Sequence, residues 1–367
     1  MFKINLNKYD FTLIFIICTC VIFGSFAVFS SSSIMSELKW SNPYKFFFKQ
    51  ILCISIGFVL MFITSFLINY KFYKKYLKLI YLLSLILIIV VLFVGISRSG
   101  AKRWLNLGYF NIQPSEIIKF TTIIITSNFI SKKNSIKNLK RLTSFTLIIL
   151  IITLPIVFEP DLGTPILIIL VCFAMLFCAG IKIKIVLLGF TIMFAFLIEE
   201  IIRKPYRLIR LKNYIESFIN INMSSYQIRQ SLNAFGSGGF FGKGPGKSEI
   251  KLMYLPEAHT DFIFPIIGEE FGFLGTSIVI LFFIYLLLKG IKISKHAPDT
   301  FSKYLCLGIT FSIVFQAIIN ISTTIGILPT KGMPLPFISF GGTSIIMTMA
   351  ISGILINLSQ YKTKKMK

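Results

Sequence analysis

The chain reads as an all-α integral membrane protein, a bundle of about ten transmembrane helices with one long loop between its seventh and eighth spans. Three observations predict this. Hydrophobic residues make up 55% of the 367 residues, above the roughly 45–50% apolar share of soluble domains, in which glycine is already counted. Mean hydropathy is +0.81. Long apolar runs recur along nearly the whole length, which excludes a spanning barrel, because its strands would alternate. One membrane domain over 1–367 accounts for the chain and leaves no room for a large soluble one.

In order, the expected spans lie at about 11–31, 46–68, 77–97, 114–131, 143–158, 163–179, 183–202, 262–288, 304–325 and 337–358. The polar start, Met1 to Tyr9, leads into the first span without a small-residue cleavage site, so it reads as a retained helix rather than a signal peptide. Pro114 suits the first turn of the fourth span. An even count puts both termini on one side. Lysine and arginine then set which side. One set of loops carries Lys71, Lys74, Lys75 and Lys78; Lys132, Lys133, Lys137, Lys140 and Arg141; Lys182 and Lys184; and Lys289, Lys292, Lys295 and Lys303. The termini add Lys3, Lys8, Lys362, Lys364, Lys365 and Lys367. This face is expected to be cytoplasmic. The short opposite loops 159–162 and 326–336 hold only Lys331.

Two opposite-face loops break the pattern. The stretch 98–113 carries Arg98, Lys102 and Arg103. The stretch 203–261 carries Arg203, Lys204, Arg207, Arg210, Lys212, Arg229, Lys243, Lys247 and Lys251. At roughly 60 residues it is long enough to translocate regardless of charge. Its aromatic and glycine-rich composition predicts ordered structure that binds something anionic.

The net charge of +24 would suggest nucleic acid on a soluble chain, but here the cations sit between apolar spans, so no nucleic-acid role is expected. The six cysteines lie within apolar runs without metal-ligand spacing and read as small buried hydrophobes.

Charge in or beside a membrane span is expensive, roughly 2.5–3.5 kcal/mol at the bilayer centre on insertion scales, and marks candidate sites. His259-Thr260-Asp261, with Glu257 before it and Glu269-Glu270 after it, makes Asp261 the leading catalytic candidate, against the alternative of an acid stabilised by a helix N-terminus. Lys102-Arg103-Trp104 is either an interfacial belt with snorkelling cations or a phosphate-binding cluster. Glu116 and Lys119, three apart, share a helix face and pair, either to fix the helix or to line a polar cavity. Glu159-Pro160-Asp161 is a tight loop or a cation site of oxygen ligands. The glycines from Gly236 to Gly246 allow close backbone approach to an anion. No Walker spacing is present, so nucleotide is not expected. Pro334 to Ser344 re-enters the membrane, where irregular backbone must be buried or line a cavity.

Together these segments resemble the SEDS family of polytopic peptidoglycan glycosyltransferases, exemplified by FtsW and RodA. The matching motifs are Gly100-Ala-Lys-Arg-Trp-Leu105, Gln113-Pro-Ser-Glu-Ile-Ile-Lys119, Pro160-Asp-Leu-Gly-Thr164, the Gly236–Ser248 loop, His259-Thr-Asp-Phe-Ile-Phe264, Gly268-Glu-Glu-Phe-Gly272 and Pro334-Leu-Pro-Phe-Ile-Ser339. They run in family order over nearly the whole chain. Tyr254-Leu-Pro-Glu-Ala-His259, Leu328-Pro-Thr-Lys-Gly332 and Phe241-Gly-Lys-Gly-Pro-Gly-Lys-Ser248 look more like the division branch than the elongation branch. Glu159 departs from the family's usual glutamine.

The resemblance implies polymerisation of lipid II, an undecaprenyl-pyrophosphate-linked disaccharide-pentapeptide, on the outer face of the bacterial cytoplasmic membrane at the division septum. It implies Asp261 as the catalytic carboxylate. The candidate substrate-binding residues are Lys102, Arg103, Gln113, Ser115, Glu116, Lys119, Asp161, Gln230, Ser237, Gly238, Lys243, Glu257, His259, Thr260, Lys331 and Ser339. Asp161 and Asp261 are the candidate ligands of Mg2+ or another divalent cation, and no organic cofactor is expected. Implied partners are a class B penicillin-binding protein and other division proteins. The competing readings are an elongation polymerase, a lipid II flippase and a non-catalytic scaffold.

Overall fold

The computed structural model describes residues 9–98, 101–106, 108, 111–133, 135–159, 161–203, 205–217, 225–251 and 255–361. Lys3, Lys8, Gly100, Pro160, Lys204, Tyr254, Lys362, Lys364, Lys365 and Lys367 lie outside them.

The helices run α1 (Phe11–Trp40), α2 (Lys45–Phe62), α3 (Lys71–Lys75), α4 (Leu77–Val94), α5 (Pro114–Ser131), α6 (Leu139–Phe158), α7 (Gly163–Cys178), α8 (Ile183–Ile202), α9 (Pro205–Ser217), α10 (Tyr226–Gly238), α11 (Ile263–Lys295), α12 (Thr300–Thr324) and α13 (Gly342–Ser359). Each of the ten expected spans falls on one of them. Seven helices among the described residues are long and apolar enough to cross a membrane by themselves: α1, α2 with its π-turn extension Ile63–Leu67, α4, α6, α11, α12 and α13. α7 is apolar but shorter.

The centre of the bundle is α12 and α13. In the most apolar window of each, 67% and 83% of residues are buried inside the protein, against 17–33% for the other five. α13 packs mainly on α2, and α12 lies between α11 and α5. Where α2 loosens into the π turn, side chains tie it to α13 in both directions. Asn357 Nδ2 of α13 donates to Ser65 O at 2.8 Å, and Thr64 Oγ1 of the π turn donates to Ala350 O of α13 at 2.8 Å. In a bilayer such groups must find partners within the protein.

The helical bundle carries one small addition, an antiparallel sheet of β1 (Ile96–Arg98), β2 (Ala101–Asn106) and β3 (Asn111–Ile112), in that order. Leu105 pairs with Ile112 and Asn106 with Asn111. The strand period places Arg103 and Leu105 on the same face, and Leu105 packs against the core while Lys102 is exposed.

The two ends of the bundle are distinct. At one, Lys289 pairs with Asp10 at 2.8 Å, Asp10 N donates to Ser359 Oγ at 2.9 Å, and Tyr70 Oη donates to Asp299 Oδ2 at 2.8 Å. The first and last helices therefore begin and finish together. The sheet, the α6–α7 turn, the segment 225–262 and the loop 326–341 gather at the other end.

Residues 225–251 of the long loop pack around a break in α11. Gly272 has φ 66° and ψ −159°, which interrupts the helix and leaves backbone groups on both sides without partners. The glycine-rich segment supplies them. Lys243 N and Gly244 N donate to Glu269 O and Glu270 O at 2.9 and 3.0 Å. Phe273 N and Leu274 N donate to Gly239 O and Phe240 O at 3.0 and 3.2 Å. A Cβ on Gly272 would lie 2.4 Å from Gly242 N, so only glycine fits on both torsional and steric grounds. Gly272→Ala is expected to cost about 2 kcal/mol or more, from the left-handed torsion and the clash together. A thermal melt of the purified protein, read against an exposed alanine substitution such as Ser144→Ala, measures it. An unchanged melting temperature would mean that the two segments do not depend on each other.

Candidate active site

Asp261 ends a run of turns, residues 256–262, that enters α11. Local sequence fixes this run. Leu255, Ala258, Phe262 and Ile266 pack with Ala234 of α10 and Ile250 into a small apolar cluster of their own. α10 presents Ile228, Ser231, Ala234 and Gly238 on its buried side, the spacing of one helical face. From α12, Asn320 Nδ2 donates to Asp261 O at 2.8 Å and to Met333 O at 2.7 Å. One amide therefore ties the Asp261 turn to the 326–341 loop. Phe340 N donates to His259 O at 2.9 Å, a second tie. Glu257 and Phe337 both have positive φ, 57° and 67°, uncommon for non-glycine residues and costly enough to need support from their surroundings.

Charged groups from four segments converge here. Burial raises the Asp261 carboxyl from its ordinary value to about 7, Glu257 and Asp161 push the same way, and Arg103 opposes them. Burial raises Glu159 to about 8, with Asp161 adding to the rise and Arg103 again opposing it. Burial lowers the Lys331 ammonium to about 8, against the pull of Asp161. Arg103 is held by its Nε, which donates to Glu159 O at 3.0 Å. Gly332 faces Asp261 so closely that a Cβ there would lie 2.8 Å from Oδ2.

The two aspartates differ in engagement. Asp161 caps α7: Oδ1 accepts from Gly163 N and Thr164 N at 2.9 and 3.2 Å, and Oδ2 from Thr164 Oγ1 at 2.8 Å. The Asp261 carboxylate has no hydrogen bond or ion pair among the described residues. Those residues also contain no group of three or more His, Cys, Asp or Glu side chains placed to hold a metal. Asp161 is thus engaged at its own helix, whereas Asp261 is not.

The structure places the remaining candidates as follows. Lys102 is exposed on β2, and Gln230 is half-buried on α10. Gln113 N donates to Thr343 Oγ1 at 3.0 Å, where α5 begins. Ser115 is buried, and its hydroxyl has no partner among the described residues. Ser339 Oγ accepts from Leu335 N at 2.8 Å and closes the re-entrant turn. Thr260 Oγ1 donates to Glu257 Oε2 at 2.9 Å. His259 is buried between the rings of Phe46 and Phe340, at 4.5 and 5.7 Å. Burial depresses its pKa, partly offset by Glu257, so the imidazole stays neutral at pH 7.

Two expectations change. Glu116 and Lys119 do pair, at 2.7 Å. The cavity they line, however, measures about 10 Å³, room for one water and not for a sugar. Lys119 Nζ donates to Gln316 Oε1 at 2.7 Å, and Gln316 Nε2 to Pro334 O at 2.8 Å. The pair thus braces the re-entrant loop from behind. The glycine-rich segment is not an open anion cradle either. Lys243 Nζ lies 2.9 Å from Glu269 Oε1, and Ser237 Oγ donates to the same oxygen at 3.3 Å. Ser248 Oγ donates to Glu269 Oε2, and a Cβ on Gly238 would meet Gly268 O at 2.0 Å. These residues close the α11 break.

Sequence reasoning missed Gln316, Asn320 and Gly332. The first two left a signal: two amides at i, i+4 on one face of an otherwise apolar helix, where a polar side chain needs a partner. Gly332 left none, because its role depends on Asp261 lying opposite.

Comparison with known proteins identifies the family. The family model for FtsW, RodA and SpoVE, described as cell cycle protein, covers residues 11–364. A protein of Coxiella burnetii named "Probable peptidoglycan glycosyltransferase FtsW" is 35% identical over 97% of each chain. Stage V sporulation protein E of Bacillus subtilis is 36% identical over 96% of this chain and 97% of that one. Among solved structures, the Thermus thermophilus rod shape determining protein RodA superposes with a TM-score of 0.70 at 23% identity, covering 96% of each chain. A chain of a peptidoglycan synthase complex, described as coordinating polymerization and crosslinking, gives 0.79 at 21% identity, covering 96% of this chain and 98% of that one. The fold is shared with both, and the chain belongs to the FtsW, RodA and SpoVE family of multi-pass membrane proteins.

Proposed function

We propose that the chain is a peptidoglycan glycosyltransferase that polymerises lipid II, with Asp261 as the general base. The observation that carries this reading is the Asp261 carboxylate itself. It is half-buried, unengaged by hydrogen bonds among the described residues, raised to about 7, and set beside Arg103 in a cluster that also contains Lys331. A base works best when its pKa lies near the working pH. The names and close identity of the relatives support the substrate class.

The chemistry follows from the donor. An α-linked pyrophosphate that yields a β-linked glycan inverts at the anomeric carbon, so one displacement suffices. Asp261 takes the proton of the acceptor hydroxyl as its oxygen bonds to that carbon, and the pyrophosphate leaves with the electron pair of the broken bond. One carboxylate base serves, as in inverting glycosidases. The leaving group needs positive charge rather than a proton, and Arg103 and Lys331 of this cluster can supply it. Magnesium titration of the metal-stripped protein, read by polymerisation and by direct ion binding, tests the divalent-cation expectation for Asp161 and Asp261.

The basic loops support a cytoplasmic position for the end that carries the termini, and hence an outer-face Asp261. A polymerase needs its carboxylate on that face. The division-like segments around Glu257, Lys243 and Lys331, with relatives named FtsW, support a septal role. A class B penicillin-binding protein is the proposed partner.

Polymerisation of lipid II by the protein with that partner, its transpeptidase blocked and any glycosyltransferase activity of its own excluded, tests the assignment. Asp261→Asn is expected to lose at least about 100-fold in rate while folding normally, given the usual size of general-base effects. Equal glycan ladders from wild type and variant would end the assignment. The wild-type rate is expected to rise with pH through about 7, because the base must be deprotonated. Glu257→Gln removes a charge that raises Asp261 and should move that rise to lower pH, whereas Arg103→Gln should move it higher. A pH profile insensitive to both would place the titrating group elsewhere. Gly332→Ala pushes a methyl onto Oδ2 and should slow turnover several-fold, with stability changed by less than about 0.5 kcal/mol.

A further inference from the structure

We propose that a cleft between α4, α5 and α6, at the end of the bundle away from Asp261, binds the phosphate headgroup of an anionic phospholipid. α5 starts beside Thr343 at the Asp261 end and finishes at Ser131, so the cleft around its last turn lies at the opposite end. The cleft has a volume of about 780 Å³, large enough for a headgroup and the first part of its chains.

Its chemistry is one-sided. Lys78, Lys132, Lys133 and Arg141 line it, and no carboxylate does among the described residues. Arg141 is oriented at the rim, because its Nη1 donates to Lys133 O at 2.8 Å. The other N–H groups of the guanidinium fork remain to meet phosphate oxygens. Deeper in, Ser135 is only 2% exposed and its Oγ has no partner among the described residues. A buried hydroxyl without a partner is uncommon in a folded protein and points to a group that supplies one. The inner wall is apolar: Phe129 and Phe145 stack with ring centroids 4.4 Å apart. Below the cleft, Leu82 and Ile86 on α4 and Ile151 on α6 are exposed apolar side chains that acyl chains can cover.

General surface positivity does not account for this. Loop cations that only set topology can spread over the whole face, as Lys182, Lys184 and Lys295 do. Here four cations meet around a cavity with a buried donor at one end and a lipid-facing apolar track at the other. That combination suits an amphiphile with a phosphodiester head, not a free ion and not a soluble acidic peptide.

Retention of phosphatidylglycerol by the full-length protein, released from nanodiscs and weighed by native mass spectrometry, tests the proposal. Each variant is first checked in phosphatidylcholine nanodiscs for an unchanged melting temperature. The variant Lys78→Gln, Lys132→Gln, Arg141→Gln is expected to bind phosphatidylglycerol at least about tenfold more weakly. The control Lys182→Gln, Lys184→Gln, Lys295→Gln removes the same charge from the same face and should change binding less than about twofold. Ser135→Leu, which blocks the inner end, should weaken binding without altering charge. Inorganic phosphate in large excess should not displace the lipid from the wild type. Equal loss from both triple variants would reduce the effect to diffuse charge and overturn the proposal. Displacement of the lipid by inorganic phosphate would overturn it too, because the site would then recognise phosphate alone.

Discussion

Charge inside an apolar bundle has to be compensated, and the rest of this structure depends on how that is done. Glu269 is fully buried and takes Lys243, two serine hydroxyls and the backbone of Glu249 and Ile250. Glu270 takes Lys251 and Ser30, both from outside its own helix. Glu116 takes Lys119. Breaking one half of such a pair leaves a bare charge, which costs far more than the pair itself contributes. The long loop is consequently not free to move independently of α11. The two adjacent glutamates hold its glycine-rich half, and the break at Gly272 lets that half enter the helix backbone.

Compensation also explains what could be read in the sequence. The positions of the apolar helices were legible because hydropathy reports burial in lipid directly. The Glu116–Lys119 pair was legible because both ends lie on one helix turn, and Asp261 because an acid preceding an apolar run is conspicuous. The partner of Lys243 was not, since Glu269 is distant in sequence and a lysine among glycines looks the same whether it faces a phosphate or a carboxylate. The small sheet escaped for a related reason. Its residues alternate only over Lys102 to Leu105, too short a run to separate from an interfacial belt. Asp161 and Asp261 were both candidate cation ligands in sequence, and the capping bonds at α7 distinguish their engagement.

α12 is what turns these separate braces into one site. Gln316 and Asn320 lie one turn apart, and each donates an amide to a carbonyl of the re-entrant loop, Pro334 and Met333 respectively. Asn320 also holds the Asp261 carbonyl, and Gln316 is itself fixed by Lys119. The intramembrane ion pair on α5 is thereby linked to the loop that carries Lys331 and Gly332. Polar groups at this depth have no water to exchange with, so the arrangement is stiff where the proposed chemistry needs it to be.

The electrostatics of the cluster constrain where an anionic donor can sit. At pH 7 Glu159, raised to about 8, is mostly protonated, Asp261 is about half so, and Lys331 keeps its proton. Arg103 and Lys331 are then the positive charges set against these carboxyl groups. A pyrophosphate placed against Asp261 would raise that carboxyl further and leave it protonated, unable to accept a proton. Placed between Arg103 and Lys331, it would find its charge met while Asp261 stayed ionisable. In the proposed reaction the donor therefore lies on the Arg103–Lys331 side. The acceptor hydroxyl then has to meet Asp261 away from those cations, at a carboxylate that is half-buried rather than sealed off.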